Sequence, residues 1–143
     1  MQESFGAYIP FVDLLGFEMV FFEDGQSELR YTPEDDHLNS FNVTHGGAVM
    51  TFLDVGMATA ARSVDKGMGV ITIEMKTSFM QAARGPLTVK GQLMHRSRNL
   101  AFTQGSVYDQ HGQLCAHATG TFKYIARTDE TGLHPEIHEV STD

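Results

Sequence analysis

One run of the sequence restricts the fold more than any other, because residues 46–64 are apolar on every side when drawn as a helix. The run reads GGAVMTFLDVGMATAARSV, and Thr44 just before it is a candidate N-cap. A helix that is apolar all round needs to be enclosed by protein, so we expect it at the centre of the domain. At 1.5 Å per residue it would span about 28 Å.

Runs of strand-forming residues lie on both sides of this helix. Residues 17–23 and 26–32 are separated by Asp24-Gly25, a dipeptide that is typical of two-residue hairpins. Four longer runs follow the helix, with turn residues between them: 70–80, 86–96, 99–109 and 113–125. In the first of these, strict alternation predicts one buried face, formed by Ile71, Ile73, Met75, Thr77 and Phe79. The element order predicts an antiparallel meander that curls around the helix, because this arrangement buries both.

The two ends of the chain and the loop before the helix are less regular. The first fifteen residues predict a short helix that Pro10 limits in length. Its inner side would be formed by Phe5, Tyr8, Ile9 and Leu14. Residues 33–44 are rich in Asp, Asn and Ser and predict a loop. Residues 128–143 are acidic without Lys or Arg, which is typical of a flexible tail, so the domain itself is predicted over residues 1–127.

Composition and charge argue against several classes of function. The 143 residues, 41% of them hydrophobic, suit one domain with one core. Ten Lys and Arg against eighteen Asp and Glu give a net charge of -8, which repels nucleic acid and anionic lipid. One cysteine, Cys115, cannot form an internal disulfide, and we find neither a signal peptide nor a membrane span. We therefore expect a cytoplasmic protein without a nucleic-acid or membrane partner.

Asp54 is the only ionisable side chain between residues 46 and 61, in the middle of the apolar helix. A buried carboxylate is costly unless it is paired or reaches a watery cleft, so Asp54 is either a structural acid bonded to nearby donors or a reactive group. The helix start, His45-Gly46-Gly47, has N–H groups without partners inside the helix. These glycines either serve packing or let a substrate oxygen approach those donors, as a developing oxyanion requires.

The sequence His45-Gly46-Gly47, with Asp54 nine positions after the histidine, resembles the phenylacetic-acid-pathway (PaaI-like) branch of the hot-dog-fold thioesterases. The resemblance covers roughly residues 17–125 and includes the last strand, with its run ATGTF at residues 118–122. It implies an α+β hot-dog fold, in which a curled antiparallel sheet of about six strands wraps one long central helix. It also implies hydrolysis of acyl-CoA thioesters to free acid and CoA, with no metal and no other cofactor.

As a hypothesis, we assign roles to the residues around the helix start. Gly46 would donate its N–H to the thioester carbonyl, Gly47 would keep the approach open, and His45 would brace the loop. Asn39 falls where relatives place an amide that orients the thioester. Relatives often have glycine where this chain has Asn42, and Asn tolerates left-handed backbone angles, so either Asn39 or Asn42 faces the substrate.

Asp54 would act either as a nucleophile on the thioester carbon or as a general base toward water. Thr72 falls where relatives have a hydroxyl beside the acid, although strict alternation places it on the strand face of Glu74 and Lys76. Gly46 and Asp54 are separated by about 12 Å along the helix, so one carbonyl cannot contact both. We therefore expect a homodimer with shared active sites. The resemblance implies the same, with dimers often pairing into tetramers.

Arg96 and Arg98 flank a predicted turn and are the closest pair of cations in this acidic chain. They are either ligands for the phosphates of CoA or ordinary solvated turn residues. Two other functions remain as alternatives. A hot-dog hydratase would need a histidine and an acid that converge on the acyl chain, and a non-catalytic acyl-CoA-binding or sensor protein would not need Asp54. The acyl group, and the choice between CoA and acyl carrier protein, stay open.

Overall fold

The computed structural model describes residues 7–127, which contain two α-helices and six strands. The elements are α1 (Pro10–Leu15), β1 (Glu18–Glu23), β2 (Gln26–Tyr31), α2 (Gly46–Arg62), β3 (Met68–Phe79), β4 (Leu87–Arg96), β5 (Leu100–Asp109) and β6 (Leu114–Ala126). The segment between β2 and α2 is a loop with one 3-10 turn at Asp35–His37. Phe5 and the predicted tail, residues 128–143, lie outside the described residues.

The six strands form one antiparallel sheet in the order β1-β2-β4-β5-β6-β3. Because α2 contacts every one of these strands, the sheet has to curl around the helix, and the predicted hot-dog arrangement is confirmed. The predicted meander is only partly right. β4, β5 and β6 follow one another, but β3 pairs with β6 instead of β4. β3 therefore forms one edge of the sheet, and β1 forms the other.

The helix α2 is enclosed as predicted, since ten of its 17 residues are buried. It ends at Arg62, two residues earlier than expected, and the Ser63 hydroxyl donates to the carbonyl of Ala60 at 2.7 Å there. The predicted N-cap is wrong: His45, not Thr44, caps the helix. No helix within residues 7–127 combines the length and apolarity that crossing a membrane requires.

Glycines on three neighbouring strands let the sheet approach α2 closely. A Cβ on Gly91 of β4 would lie only 2.3 Å from the carbonyl oxygen of Gly56 in α2. On β5 and β6, a Cβ on Gly105 or Gly120 would come within 3.1 or 3.0 Å of the Met57 side chain. The sheet can therefore curl tightly, because these three helix-facing strand positions carry no side chains.

The N-terminal helix and the hairpin form as predicted, but the inner side of the helix differs from the prediction. Pro10 occupies the first turn of α1, where its missing N–H costs nothing, so it starts the helix instead of limiting it. The inner side is formed by Val12 and Leu15, whereas Tyr8 and Leu14 are 56% and 71% exposed, so the predicted inner side is wrong for both. The Asp24-Gly25 hairpin is confirmed, with left-handed φ values of 53° and 81°.

A β-bulge in β3 breaks the strict alternation that the sequence predicts. The pairing of β3 with β6 shifts register after Thr72, where Ile73 is inserted as an extra residue. Before the bulge, Val70 and Thr72 face α2; after it, Met75 does. Ile73 and Phe79, predicted to be buried, are each 53% exposed. The bulge therefore turns Thr72 toward the helix, on the face opposite to the predicted one.

Candidate active site

The start of α2 presents one backbone donor that the chain itself does not use. His45 caps the helix, because its Nδ1 accepts the N–H of Gly47 at 2.8 Å. The backbone N–H of His45 donates to the carbonyl of His37 at 2.8 Å, which ties the cap to the preceding loop. The N–H of Gly46 has no hydrogen-bond partner within residues 7–127. This donor at the positive end of the helix is available to a substrate oxygen.

The loop before α2 distinguishes the two candidate amides. The Asn39 side-chain oxygen accepts the N–H groups of Phe41 and Val43 at 2.9 and 3.3 Å, which holds that side chain in place. Its amide nitrogen carries the remaining donors. Asn42 takes a left-handed φ of 59° and donates its backbone N–H to the carbonyl of Asn39 at 3.0 Å. Asn42 therefore shapes the turn, and that Asn39 is the amide that meets a substrate stays a prediction.

A cavity of about 400 Å³ opens beside the helix start. Asn39 and Gly46 both line it, and Asn42 is not among its lining residues. Much of the remaining wall is apolar or small, including Val49, Phe79 and Ala116. Sequence reasoning missed Phe79, whose ring would be 3.5 Å from a Cβ on Gly46, because no local pattern indicates that the end of β3 meets the helix start.

Cys115 also lines this cavity and is buried. Burial, followed by the negative charge of Asp109, raises the pKa of the Cys115 thiol. A thiol with a raised pKa stays protonated near neutral pH and is a weak nucleophile. Cys115 therefore lies in the cavity wall without the lowered pKa that activates a thiol nucleophile.

Asp54 lies half-buried in the middle of α2 and is hydrogen bonded to β3. The Thr72 hydroxyl donates to the Asp54 carboxylate at 2.7 Å. Burial raises the pKa of Asp54, and the hydrogen bond from Thr72 lowers it in part. The β-bulge at Ile73 makes this contact possible. A carboxylate that is partly desolvated and held by one hydroxyl suits a nucleophile or a general base.

Within one chain, the predicted site residues form two separate groups. The cavity half-site consists of Asn39 and Gly46, and the acid half-site consists of Asp54 and Thr72. The two half-sites are about 12 Å apart along α2. β3 passes both, since Phe79 contacts the helix start and Thr72 contacts Asp54.

Arg96 and Arg98 do not reach the cavity half-site of their own chain. The Arg96 guanidinium contacts the Asp65 carboxylate at 3.3 Å and lies 4.0 Å from the ring centroid of Tyr124. Asp65 follows the C-terminal end of α2, so this contact lies at the opposite end of the helix from Gly46. Arg98 is exposed in the turn between β4 and β5. A role for either residue toward CoA phosphates stays a prediction.

The raised pKa of Asp54 leads to a prediction about stability. Because the carboxyl binds its proton more tightly in the folded chain than in the unfolded one, ionising it costs folding free energy. Below the ordinary pKa of 3.8 this cost is absent. It increases as the pH rises from there through the folded-state pKa, and above the folded-state pKa it has its full value. Asp54→Asn is therefore expected to raise the free energy of unfolding at about pH 8 and to give no gain below about pH 4.

Urea unfolding of the wild type and of Asp54→Asn at the two pH values measures this difference. The amide oxygen of Asn can still accept the Thr72 hydroxyl, so the change removes the charge and keeps the contact. Thr72→Val is the companion variant. It removes the hydrogen bond that lowers the pKa of Asp54, and it should move the acid limb of any pH–rate profile to higher pH. An Asp54→Asn protein that is less stable than the wild type at about pH 8 would contradict the burial argument.

Comparison with known proteins places these half-sites in a family context. A family model described as the thioesterase superfamily matches residues 41–116, which include Gly46, Asp54 and Thr72. A Saccharolobus solfataricus protein, provisionally named an esterase, is 30% identical over 123 residues. The match covers 85% of this chain and 82% of that protein.

Two solved structures have the same architecture. A phenylacetic acid degradation-related protein of Ralstonia eutropha JMP134, provisionally named a thioesterase, is 26% identical with a TM-score of 0.76; the match covers 85% of this chain and 96% of that one. A Streptococcus mutans UA159 protein, solved with bound acetyl-CoA, is 26% identical with a TM-score of 0.70, over 77% of this chain and 89% of that one. The similarity in both cases covers more than three quarters of this chain.

Proposed function

The chain belongs to the thioesterase superfamily, and on that premise we propose that it hydrolyses acyl-CoA thioesters at active sites shared between two copies of the chain. Family membership makes it a thioester hydrolase. The proposal concerns the carrier, the residues that act and the assembly they need. The bound acetyl-CoA of the Streptococcus mutans relative supports CoA as the carrier of the acyl group.

The observation that carries this proposal is the separation of the two half-sites within one chain. Gly46 and Asn39 line one cavity, and Asp54 with Thr72 lies about 12 Å further along α2. A carbonyl bonded to the Gly46 N–H is therefore out of reach of Asp54 in the same chain. If two copies align their α2 helices antiparallel, the acid half-site of each copy faces the cavity half-site of the other.

The edge of the sheet supports such an assembly. β3 is an edge strand of 12 residues in the sheet that residues 7–127 form, and it pairs on one side only, with β6. Ile73 and Phe79 on this strand, and Met80 directly after it, are each 53% exposed. A long edge strand with exposed apolar side chains promotes association unless it is covered, and a second copy of β3 can cover it because the same strand can pair antiparallel with itself.

The mechanism begins with the thioester carbonyl in the cavity half-site. The carbonyl oxygen accepts the Gly46 N–H, and the positive end of α2 stabilises the negative charge that develops on it. The Asn39 amide donates a second hydrogen bond that orients the thioester. This arrangement leaves the carbonyl carbon open to attack from the partner chain.

Asp54 of the partner subunit then acts by one of two routes, while the Thr72 hydroxyl orients its carboxylate. In the first, it attacks the carbonyl carbon, the carbon–sulfur bond breaks, and CoA leaves as a thiolate that takes up a proton; water then hydrolyses the mixed anhydride. In the second, Asp54 takes a proton from water as that water attacks the carbonyl; the carbon–sulfur bond of the tetrahedral intermediate then breaks, and the proton passes from Asp54 to the departing CoA thiolate. Both routes yield a free acid and CoA and restore the carboxylate.

Mixing two inactive variants tests the shared site. Asp54→Asn removes the acid, and Gly46→Pro removes the N–H donor at a helix position where proline is tolerated. Each variant alone is expected to be inactive. After denaturation and co-refolding in equal amounts, half of the dimers are mixed and each mixed dimer regains one intact site, so about a quarter of the wild-type activity should return.

The substrate in this test is the acyl-CoA that the wild type cleaves best from a panel of aryl and fatty acyl-CoAs, measured as released thiol. Gly46→Ala is the matched control for Gly46→Pro, because it adds a carbon at ordinary contact distance from Phe79 and keeps the N–H. Native mass spectrometry of differently tagged chains verifies that mixed dimers are present. If verified mixed dimers stay as inactive as their parents, the two-chain site is wrong; if the wild type releases no thiol from any panel member, the acyl-CoA assignment is wrong.

A further inference from the structure

His37 lies outside both half-sites, but its hydrogen bonds tie the loop before α2 to the rest of the domain. Its Nδ1 lies 2.8 Å from the Tyr31 hydroxyl and accepts the backbone N–H of Glu34 at 3.1 Å. Its carbonyl accepts the N–H of His45 at 2.8 Å. His37 is half-buried and is not among the residues that line the cavity. It therefore connects the end of β2 to the cap of α2, and the mechanism above gives it no role.

The hydrogen bond from Glu34 determines which nitrogen of the His37 ring carries the proton. A backbone N–H can only donate, so Nδ1 presents a lone pair and the proton of the neutral ring lies on Nε2. The Tyr31 hydroxyl then donates to the same Nδ1. Burial, followed by the negative charge of Glu34, raises the pKa of Tyr31 to about 12, so this hydroxyl keeps its proton at neutral pH. The Nδ1 of His37 is therefore the acceptor for two donors.

Tyr31 is a rigid anchor for His37, because it belongs to an aromatic cluster in the core. Its side chain is 1% exposed. The centroid of its ring lies 4.8 Å from that of Phe17 and 5.3 Å from that of Phe52 in α2. The centroid of the His37 ring lies 5.7 Å away on the other side of the contact with the loop. The same core side chain thus contacts α2, which begins at Gly46, and the loop that precedes it.

Residues 37–45 form a narrow antiparallel ladder that carries the cavity half-site. Its successive pairings are the His45 N–H with the His37 carbonyl, a bridge between Leu38 and Thr44, and the Asn39 N–H with the Val43 carbonyl at 2.8 Å. Asn39 follows His37 by two residues, and Gly46 directly follows His45. Because Asn39 and Gly46 both line the cavity, a shift of His37 is transmitted to both. A displacement of about 1 Å in a catalytic arrangement can slow a reaction by about 10²-fold.

We propose that His37 is a positioning residue of the cavity half-site: it fastens the 37–45 ladder to Tyr31, so that the Asn39 amide and the Gly46 N–H converge on the thioester carbonyl. This inference rests on the proposed acyl-CoA hydrolysis and adds a residue that acts through Asn39 and Gly46 without contact to the substrate. The position needs a side chain that accepts from Tyr31 and Glu34 together. An apolar side chain would leave both donors without this partner and release the start of the ladder.

His37→Leu is expected to lower the kcat of thiol release from the best acyl-CoA of the panel by about 10- to 10²-fold. KM should change less than kcat, because the donors of the cavity half-site act mainly on the charge that develops on the carbonyl oxygen in the transition state. His37→Asn should keep most of the wild-type kcat, since the amide oxygen of Asn can accept both donors in place of Nδ1. His111→Leu, in the exposed turn between β5 and β6, is the matched control and should leave kcat unchanged.

Two buried tyrosines separate positioning from stability. Tyr31 and Tyr124 are 1% and 5% exposed, and the Tyr124 hydroxyl donates to the Ala61 carbonyl at 2.6 Å, near the opposite end of α2. Tyr31→Phe and Tyr124→Phe each remove one such hydrogen bond and should lower stability in urea to a similar extent. Only Tyr31→Phe should lower kcat. In the His37→Leu background, Tyr31→Phe should cause no further loss of kcat, because the two residues act on the reaction as one unit.

Amide hydrogen exchange of His45, measured by NMR, reports on the ladder without any substrate. The exchange should accelerate in His37→Leu and Tyr31→Phe and stay near the wild-type rate in His37→Asn. The inference is overturned if folded His37→Leu keeps the wild-type kcat, if His37→Asn is as slow as His37→Leu, or if Tyr124→Phe lowers kcat as much as Tyr31→Phe. A wild type that releases no thiol from any acyl-CoA contradicts the proposed hydrolysis instead, and the exchange rates then decide whether His37 holds the ladder. Thermal melting verifies that each variant is folded.

Discussion

Asp54→Asn is expected to lower the kcat of thioester hydrolysis by about 10²- to 10⁴-fold, the range in which a positioned base or nucleophile contributes. The Asn side chain has the same shape and can still accept the Thr72 hydroxyl, but it neither attacks a carbonyl effectively nor takes a proton from water. KM should change little, because the cavity half-site that holds the carbonyl does not include Asp54. Thiol release from the best acyl-CoA of the panel measures both constants.

Asp24→Asn is the matched control for this substitution. It makes the same change of carboxylate to amide in the hairpin turn between β1 and β2, where the residue has a φ of 53° that Asn adopts readily. Its activity should equal that of the wild type. Asp54→Asn should also be more stable than the wild type at about pH 8, so a loss of activity cannot be attributed to unfolding. Wild-type turnover in folded Asp54→Asn would remove Asp54 from the reaction.

Gly91→Ala is expected to have the largest effect on stability, lowering the free energy of unfolding by about 3 kcal/mol or more. A Cβ at this position would lie 2.3 Å from the Gly56 carbonyl oxygen and 2.5 Å from the Ser27 hydroxyl. Neither group can move away easily, because the carbonyl belongs to the backbone of α2 and the hydroxyl donates to it at 2.6 Å. The helix would have to separate from β4 to make room. Equilibrium unfolding in urea measures the loss.

Two other glycines provide a graded control series. Gly67→Ala should change the free energy of unfolding by less than about 0.5 kcal/mol, since no atom lies within 4 Å of the added carbon. Gly105→Ala should cause a loss of stability between these two, because the closest contacts of its added carbon would be the flexible side chains of Met57 and Leu53, at 3.1 and 3.3 Å. If Gly91→Ala is as stable as Gly67→Ala, the close approach of sheet and helix is not what holds β4 in place. Failure of Gly91→Ala alone to accumulate as folded protein would agree with the prediction.

The residues of the candidate site whose relative positions could be predicted are those that lie close together in the sequence. His45, Gly46 and Asp54 belong to one helix and its cap, so their spacing along the sequence translates directly into distance along an axis. That distance alone indicated that Gly46 and Asp54 belong to different half-sites. The identity of the cap was predicted less well. Thr44 and His45 are both able to accept an N–H, and only the path of the preceding loop decides which side chain reaches Gly47.

Thr72 shows where sequence periodicity stops being sufficient. Alternation over residues 70–80 is a correct description of a regular strand, and it places Thr72 away from α2. The structure contains one extra residue at Ile73, which reverses the sides of all residues beyond it relative to those before. A bulge of this kind depends on pairing with β6, some fifty residues later in the chain, and no pattern within β3 records it.

The sequence by itself determined the elements and the central position of α2. Local periodicity, turn residues and an all-round apolar helix act over a few residues, and burial of that helix leaves few arrangements other than a curled sheet around it. Only the tertiary structure decided that β3 joins the far edge next to β6, that its bulge brings Thr72 to Asp54, and that Thr44 and Phe79 meet at one cavity. These features depend on contacts between distant segments of the chain. Several alternative pairings of those segments have comparable free energies until the whole sheet closes around the helix.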